Sequence, residues 1–311
     1  MLAIETINLT RRYGKLTAVD ALNLEIPAGS LYGLIGPNGA GKTTTLRMLA
    51  GLLDPTSGEI RINGNSAKDG WREVRQQIGY MPDFFGVYED MLVWEYLDFF
   101  ARCYDLPAKR RQPVIDELLE LVDLSDKRDA YVQSLSRGMR QRLCLAHTLV
   151  HDPAVLLLDE PASGLDPRAR VEMRELLREL GSMGKTIIVS SHILSELAEM
   201  CDSIGIIERG ELVVSGPVAE ISRQAQQGHT LRIKTLNAEF EDVEAILRNQ
   251  PGVGNIHPVN GSLEVEFLGD DNATATLLET LIAAGIRVTS FAEISSDLED
   301  IFLRLTKGEV A

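Results

Sequence analysis

The stretch that decides the fold is Gly36-Pro-Asn-Gly-Ala-Gly-Lys-Thr-Thr44, which fits the pattern G-x-x-x-x-G-K-[ST]. Residues 31–35 before it read Leu-Tyr-Gly-Leu-Ile and are apolar enough for a buried strand, and residues 43–53 after it have the composition of a helix. Glycines let successive backbone N–H groups turn toward one anion, and the N-terminus of a helix adds a favourable field. The stretch therefore predicts a site for the phosphates of a nucleotide.

Each residue of this loop has an expected role. Lys42 is expected to reach the β- and γ-phosphates, and the hydroxyl of Thr43 is expected to bind Mg²⁺. The alternative is a glycine-rich turn that binds nothing, which the lysine and threonine in register argue against. The residues expected to surround the phosphates are Gly36, Pro37, Asn38, Gly39, Ala40, Gly41, Lys42, Thr43 and Thr44.

Composition restricts the class of protein. The 311 residues carry a formal net charge of −15, which argues against nucleic acid as a partner because such binding needs a basic face. The hydrophobic content of 44% is ample for a packed core, yet no apolar run approaches the ~20 residues that span a bilayer. The start has no signal-peptide pattern, and three scattered cysteines without a C-x-x-C pair indicate reduced thiols in the cytoplasm.

The pattern along the chain predicts two domains. Residues 1–221 alternate strand-like and helix-like stretches, with a helical insertion at about 88–152. Residues 154–158 and 186–190 are continuous apolar runs, which are typical of parallel strands buried on both faces. Residues 204–207 and 211–215, around Arg209-Gly210, predict a hairpin.

Residues 222–311 predict a second, smaller domain. The order strand, helix, strand, strand, helix, strand is typical of a ferredoxin-like α+β domain. Its second helix, over 272–284, is expected to begin with Asp271 or Asn272 as the N-cap and to stop at Gly285. A further amphipathic helix is predicted over 296–305.

Two carboxylates and a histidine follow the buried strands. Asp159 and Glu160 come after the run at 154–158, and His192 comes after the run at 186–190. Beside the phosphate loop, Asp159 can hold Mg²⁺ through water, Glu160 can act as general base on the attacking water, and His192 can contact the γ-phosphate. Alone, each has an ordinary explanation: a solvent-facing turn for the carboxylates, a structural residue for the histidine.

Further motifs show a resemblance to a known family. Leu135-Ser-Arg-Gly-Met139 matches a signature segment, Ser163-Gly-Leu-Asp166 matches a D-loop, and Tyr13 follows Arg11-Arg12. With these motifs in order, residues 2–220 resemble the nucleotide-binding subunits of ABC transporters. The resemblance implies an α/β P-loop NTPase fold with a RecA-like core, an antiparallel β subdomain and a helical subdomain. It also implies that Tyr13 stacks on adenine, and that Ser136 and Gly138 contact ATP across a dimer.

The sequence departs from the family pattern in two places. Arg137 and Met139 stand where the signature segment has Gly and Gln, so Arg137 either adds positive charge at the dimer interface or crowds it. Asp83 stands where the family has Gln, and its oxygen can still bind Mg²⁺, although it cannot donate a hydrogen bond as an amide does.

The resemblance implies an ATPase that uses ATP and Mg²⁺ and energises a separate integral membrane permease. One set of motifs makes half of each site, so a second copy or a paralogous ATPase subunit must complete it in a head-to-tail dimer. The expected location is the cytoplasmic face of the membrane, and the second domain resembles the accessory domain of ABC-2-type exporters. That domain is either a packing module or a regulatory one. The alternative function is a non-transport or regulatory ABC ATPase without a permease; the cargo is not readable from the sequence.

Overall fold

The computed structural model describes residues 1–84, 86, 88, 90–225, 229–236, 240–259 and 261–294. Within this part of the chain, Met1–Val218 form one compact unit, and a second unit begins at Ala219. The predicted helix over 296–305 lies outside the described residues.

The first unit contains ten strands and seven α-helices within its described residues. The strands are β1 (Leu2–Tyr13), β2 (Leu16–Pro27), β3 (Leu31–Ile35), β4 (Ser57–Ile62), β5 (Asn65–Ser66), β6 (Ile78–Met81), β7 (Val155–Asp159), β8 (Thr186–Ser191), β9 (Ser203–Glu208) and β10 (Glu211–Pro217). The helices are α1 (Lys42–Leu49), α2 (Trp71–Arg75), α3 (Val93–Cys103), α4 (Ala108–Leu121), α5 (Arg137–Leu149), α6 (Pro167–Ser182) and α7 (Leu194–Met200).

The central sheet of this unit has six strands in the order β10-β9-β3-β8-β7-β6. The pairs β3–β8, β3–β9, β7–β8 and β6–β7 are parallel, and β10 closes the sheet as an antiparallel hairpin with β9. Every residue of β3, β7 and β8 is buried, as the continuous apolar runs predicted. Since the strands are parallel, the residues that follow β3, β7 and β8 meet at one edge.

A second, antiparallel sheet has the order β2-β1-β4-β5. Its apolar side chains share one core with α1 and the central sheet; Ile4, Leu24, Ile60, Leu46 and Leu157 are all buried there. The predicted helical insertion forms α3, α4 and α5, which lie between β6 and β7 in the chain.

The second unit begins with α8 (Val218–Ala225), which starts at the boundary, and continues with β11 (His229–Thr235), α9 (Phe240–Leu247), β12 (Val253–Val259), β13 (Ser262–Phe267), α10 (Asp271–Ala283) and β14 (Val288–Ile294). Its antiparallel sheet has the order β12-β13-β11-β14. This is the ferredoxin-like arrangement that the element order predicted, with both central strands facing a core of Leu231, Ile233, Leu263 and Val265.

The predicted cap of α10 is wrong by one residue. The N-cap is Asp270, whose carboxylate accepts a hydrogen bond from the backbone N–H of Ala273 at 2.9 Å. Asp270 has an extended backbone, which an N-cap needs, whereas Asp271 is already the first helical residue. The predicted stop at Gly285 is confirmed, because its φ of 84° is left-handed and ends the helix.

Candidate active site

The edge at the carboxyl ends of β3, β7 and β8 contains a cavity of about 330 Å³. It brings together most of the residues that the sequence singled out, although they are spread over more than 150 positions. The cavity is lined by Ala18, Pro37, Asn38, Gly39, Ala40, Gly41, Lys42, Thr43, Thr44, Asp83, Glu160, Ser163 and His192.

The loop between β3 and α1 has the backbone that its glycines allow. Gly41 has a φ of 109°, and a Cβ at this position would lie 2.5 Å from the carbonyl oxygen of Ala18. At Gly36 a Cβ would lie 2.3 Å from the carbonyl oxygen of Ile207. Only glycine fits both positions, so neighbouring strands hold the loop in its curved form.

Lys42 lies at the base of this loop and is only 6% exposed. Its Nζ donates hydrogen bonds to the carbonyl oxygens of Gly36 at 2.7 Å and Pro37 at 3.3 Å, and lies 3.6 Å from Oε1 of Glu160. Burial lowers the pKa of the Lys42 ammonium, and the nearby Glu160 carboxylate partly opposes this shift. The lysine is thus held inside the cavity, where a phosphate oxygen can replace its carbonyl partners.

Asp159 ends β7 and is almost fully buried. Its Oδ1 accepts hydrogen bonds from Thr43 Oγ1 at 3.1 Å and from Ser190 Oγ at 2.7 Å. Its Oδ2 is buried and has no hydrogen-bond partner within the described residues. A buried carboxylate oxygen without a donor, beside a threonine hydroxyl, suits a hard cation with oxygen ligands, so these residues fit Mg²⁺.

Ser190 is a residue that the sequence analysis missed. It is fully buried, and besides binding Asp159 its hydroxyl accepts the backbone N–H of Glu160 at 3.0 Å. The only signal in the sequence was a hydroxyl at the end of an apolar run. Its role becomes visible only in the parallel register of β7 and β8, which places Ser190 opposite Asp159.

Glu160 and His192 form a pair at the cavity wall. The backbone of Glu160 is left-handed, with a φ of 49°, which is uncommon for a residue that is not glycine. Oε2 of Glu160 lies 3.0 Å from Nδ1 of His192, whose side chain is 47% exposed. The carboxylate is therefore held from two sides, by Lys42 on one oxygen and His192 on the other.

The other predicted residues divide between the cavity wall and positions outside it. Asp83 is an exposed residue of the cavity wall. Tyr13 is 46% exposed and does not line the cavity; the guanidinium carbon of Arg11 lies 4.6 Å from the centre of its ring. Ser136 is the N-cap of α5, and neither it nor Gly138 lines the cavity of its own chain.

Comparison with known proteins assigns the family. Residues 19–163 match the family model described as ABC transporter, and residues 216–306 match the C-terminal domain of DrrA1-3-like ATP-binding proteins. An uncharacterized ABC transporter ATP-binding protein of Bacillus subtilis is 38% identical over 98% of this chain and 99% of its own length. The chain belongs to the ABC transporter ATP-binding proteins.

Other relatives of this ABC ATPase agree. A Nod factor export ATP-binding protein I of Burkholderia pseudomallei is 42% identical over 99% of this chain and 98% of its own length. A solved ATP binding subunit of an ABC transporter has a TM-score of 0.65 and 30% identity, and the match covers 73% of this chain and 94% of that one. A dimeric ABC transporter cassette, MJ0796, has a TM-score of 0.63 and 26% identity, with 69% and 98% covered.

The expected enzyme class and fold are confirmed: the chain is an ATP-hydrolysing cassette of a transporter. Among the described residues, none of the helices combines the length and the apolar composition that crossing a bilayer requires.

Proposed function

We propose that this ABC ATPase is the energising subunit of an exporter. It binds at the cytoplasmic face of the membrane and drives a permease that is a separate chain. The observation that carries the proposal is the meeting of Lys42, Glu160 and His192 at one cavity. The full-length likeness to Nod factor export ATP-binding proteins supports export and favours transport over a regulatory ATPase without a permease.

The phosphates of ATP bind in the loop 36–44. The backbone N–H groups of the loop and the N-terminus of α1 bind the phosphate oxygens, and Lys42 exchanges its carbonyl partners for the β- and γ-phosphates. Thr43 and Asp159 would hold Mg²⁺, and Asp83 would offer a further oxygen at the cavity wall. A Mg²⁺ ion held there would neutralise part of the phosphate charge.

Glu160 is the general base. Its carboxylate accepts the proton of the water that attacks the γ-phosphate, because it lies at the cavity wall 3.6 Å from the lysine that holds that phosphate. His192 orients the carboxylate through the contact of 3.0 Å between Nδ1 and Oε2. Ser190 holds the backbone of Glu160 in its left-handed conformation.

The site is completed by a second copy of the chain or by a paralogous subunit. Ser136 and Gly138 lie at the N-terminus of α5, outside the cavity of their own chain. In a head-to-tail dimer this helix end faces the γ-phosphate bound by the partner, where its N–H groups favour an anion. Tyr13 stacks on the adenine ring with the face that Arg11 leaves free.

The proposal is tested with Glu160→Gln. Without the base, we expect ATP hydrolysis to fall at least about 100-fold while ATP binding is retained, so that size-exclusion chromatography with ATP shows a dimer. Glu175→Gln, which changes an exposed glutamate of α6, is the control and is expected to hydrolyse ATP at the parent rate. Hydrolysis by the Glu160→Gln variant at the parent rate would refute the base assignment.

The transport part is tested by purifying the full chain from membranes and identifying bound proteins by mass spectrometry. We expect a polytopic membrane protein to copurify with the parent chain and equally with the Glu175→Gln variant. Recovery of the chain from the soluble fraction alone, without such a protein, contradicts a permease partner.

A further inference from the structure

Arg137 stands where the family's signature segment has glycine, and its side chain folds onto the D-loop (residues 163–166) of its own chain. Its Nη2 donates a hydrogen bond to the carbonyl oxygen of Ser163 at 3.0 Å. The guanidinium also covers Gly164, where a Cβ would lie 2.3 Å from the guanidinium carbon. A side chain at position 164 would therefore displace the guanidinium of Arg137.

The D-loop backbone needs such partners. Its first turn is closed by the N–H of Ser163, which donates to the carbonyl oxygen of Glu160 at 3.0 Å. The carbonyl of Ser163 then accepts Arg137, and the carbonyl of Leu165 accepts Nε of Arg170 at 3.2 Å. Two guanidinium groups, one from α5 and one from α6, therefore hold this loop.

The charge of Arg137 gives a reason for this conformation. Arg137 is the first residue of α5, and a cation at the N-terminal end of a helix is unfavourable. Among the ion pairs of the described residues, none joins Arg137 to a carboxylate. A D-loop carbonyl with its partial negative charge offsets part of this cost.

The N-terminus of α5 also packs on the start of α6. A Cβ at Gly138 would lie 3.5 Å from Cβ of Ala169 and 3.8 Å from Cδ2 of Leu165. The two segments therefore lie close together at Gly138, and Arg137 adds a directed hydrogen bond between them.

We propose that Arg137 is a positioning residue that ties the signature segment to the D-loop of the same chain. Ser136 and Gly138 flank Arg137 and contact the ATP held by the partner, whereas Ser163 lines the chain's own cavity together with Glu160. A displacement of the signature segment by the partner's ATP is thereby passed to the wall that carries the general base. This step rests on the dimer described under the proposed function.

The test is Arg137→Ala in the full chain. We expect kcat for ATP hydrolysis to fall about fivefold, the effect of losing one exposed charge-assisted hydrogen bond of about 1 kcal/mol. ATP affinity of the monomer, measured by calorimetry, is expected to stay within about twofold, because Arg137 does not line its own cavity. An unchanged kcat, or a loss confined to ATP affinity, overturns the inference.

Arg140→Ala is the matched control. Arg140 lies in the same helix, and its Nη2 donates to a backbone carbonyl outside the D-loop, that of Gln133 at 2.8 Å. We expect its kcat to stay within about twofold of the parent. An equal loss of kcat in both variants means that removing either arginine of α5 has the same effect. That result overturns the proposed link between Arg137 and the D-loop.

A double-mutant cycle with Gly164→Ala separates the link from simple strain. The added Cβ takes the position of the guanidinium and also strains a residue with a φ of 65°. The backbone strain at position 164 is present with or without Arg137, whereas displacement of the guanidinium requires Arg137. We therefore expect Gly164→Ala to lower kcat less in the Arg137→Ala background than in the parent; additive losses overturn the inference.

The Glu160→Gln variant separates this inference from the proposed function. If Glu160→Gln forms the ATP dimer while the cycle is additive, the proposed function stands and the Arg137 link is wrong. If Glu160→Gln forms no dimer, the proposed function fails in its dimer part, and the relay through Arg137 fails with it.

Discussion

Replacing Ser190 by alanine removes one hydroxyl that binds both the carboxylate of Asp159 and the backbone of Glu160. The hydroxyl donates to Oδ1 of Asp159 at 2.7 Å and accepts the N–H of Glu160 at 3.0 Å. Ser190 is fully buried, so water cannot replace either bond without rearrangement. We expect Ser190→Ala both to destabilise the first unit and to slow hydrolysis.

The size of the effect follows from the two bonds. A hydrogen bond to a charged group contributes about 1.5–3 kcal/mol, and one between neutral groups about 0.5–1.5 kcal/mol. The expected loss in the free energy of unfolding is therefore about 2–4 kcal/mol. Glu160 also loses an anchor of its left-handed backbone, and we expect kcat to fall about 10- to 100-fold, corresponding to about 1.4–2.8 kcal/mol.

Urea unfolding followed by tryptophan fluorescence measures the stability term. Both tryptophans of the chain, Trp71 and Trp94, lie in the first unit, so the signal reports that unit alone. Ser191→Ala is the control: Ser191 is 6% exposed, and within the described residues its hydroxyl has one partner, the N–H of Ile193 at 3.0 Å. We expect this control to lose about 1 kcal/mol.

Two results would refute the reasoning. If Ser190→Ala is no less stable than Ser191→Ala, the hydroxyl does not hold the buried carboxylate as described. If its kcat stays within about twofold of the parent, the backbone of Glu160 does not depend on Ser190.

Two further predictions concern charged side chains. Lys42→Ala is expected to weaken ATP binding at least about tenfold in calorimetry, because it removes the buried ammonium that binds the phosphates. Lys68→Ala, at an exposed lysine, is the control and is expected to leave ATP affinity unchanged. Equal ATP affinity of Lys42→Ala and the parent excludes the phosphate role. Asp98→Ala is expected to lower the stability of the first unit by about 1–3 kcal/mol, because the buried carboxylate of Asp98 pairs with Arg102 at 2.6 Å and with Arg111 at 3.2 Å. The effect is limited because both arginines are partly exposed. An unchanged urea midpoint contradicts this prediction.

The sequence predicted the elements whose pattern is local. The strand at 31–35 was predicted to the residue, because a run of apolar residues is a strong local signal for a buried parallel strand. Helix ends were less accurate. The helix predicted over 43–53 ends at Leu49, since Gly51 turns left-handed two residues later.

Site residues could be predicted only where a motif carries them. The phosphate loop and Glu160 directly follow strands and Asp159 ends one, so the sequence indicates both their chemistry and their edge of the sheet. Their individual roles stay predictions until the variants are measured. Ser190 could not be assigned, because a serine after an apolar run has no special chemistry until the sheet places it beside a carboxylate.

From the sequence alone came the nucleotide loop, the family resemblance and the order of two domains, because these depend on residues that are neighbours in the chain. Only the tertiary structure decided which side chains hold the site together. Ser190 binds Asp159, 31 residues away in the sequence, and Arg137 binds Ser163, 26 residues away. No periodic pattern or motif in the sequence indicates either pair. Such contacts depend on the register of parallel strands and on the packing of one helix start against another, which the chain acquires only when it folds.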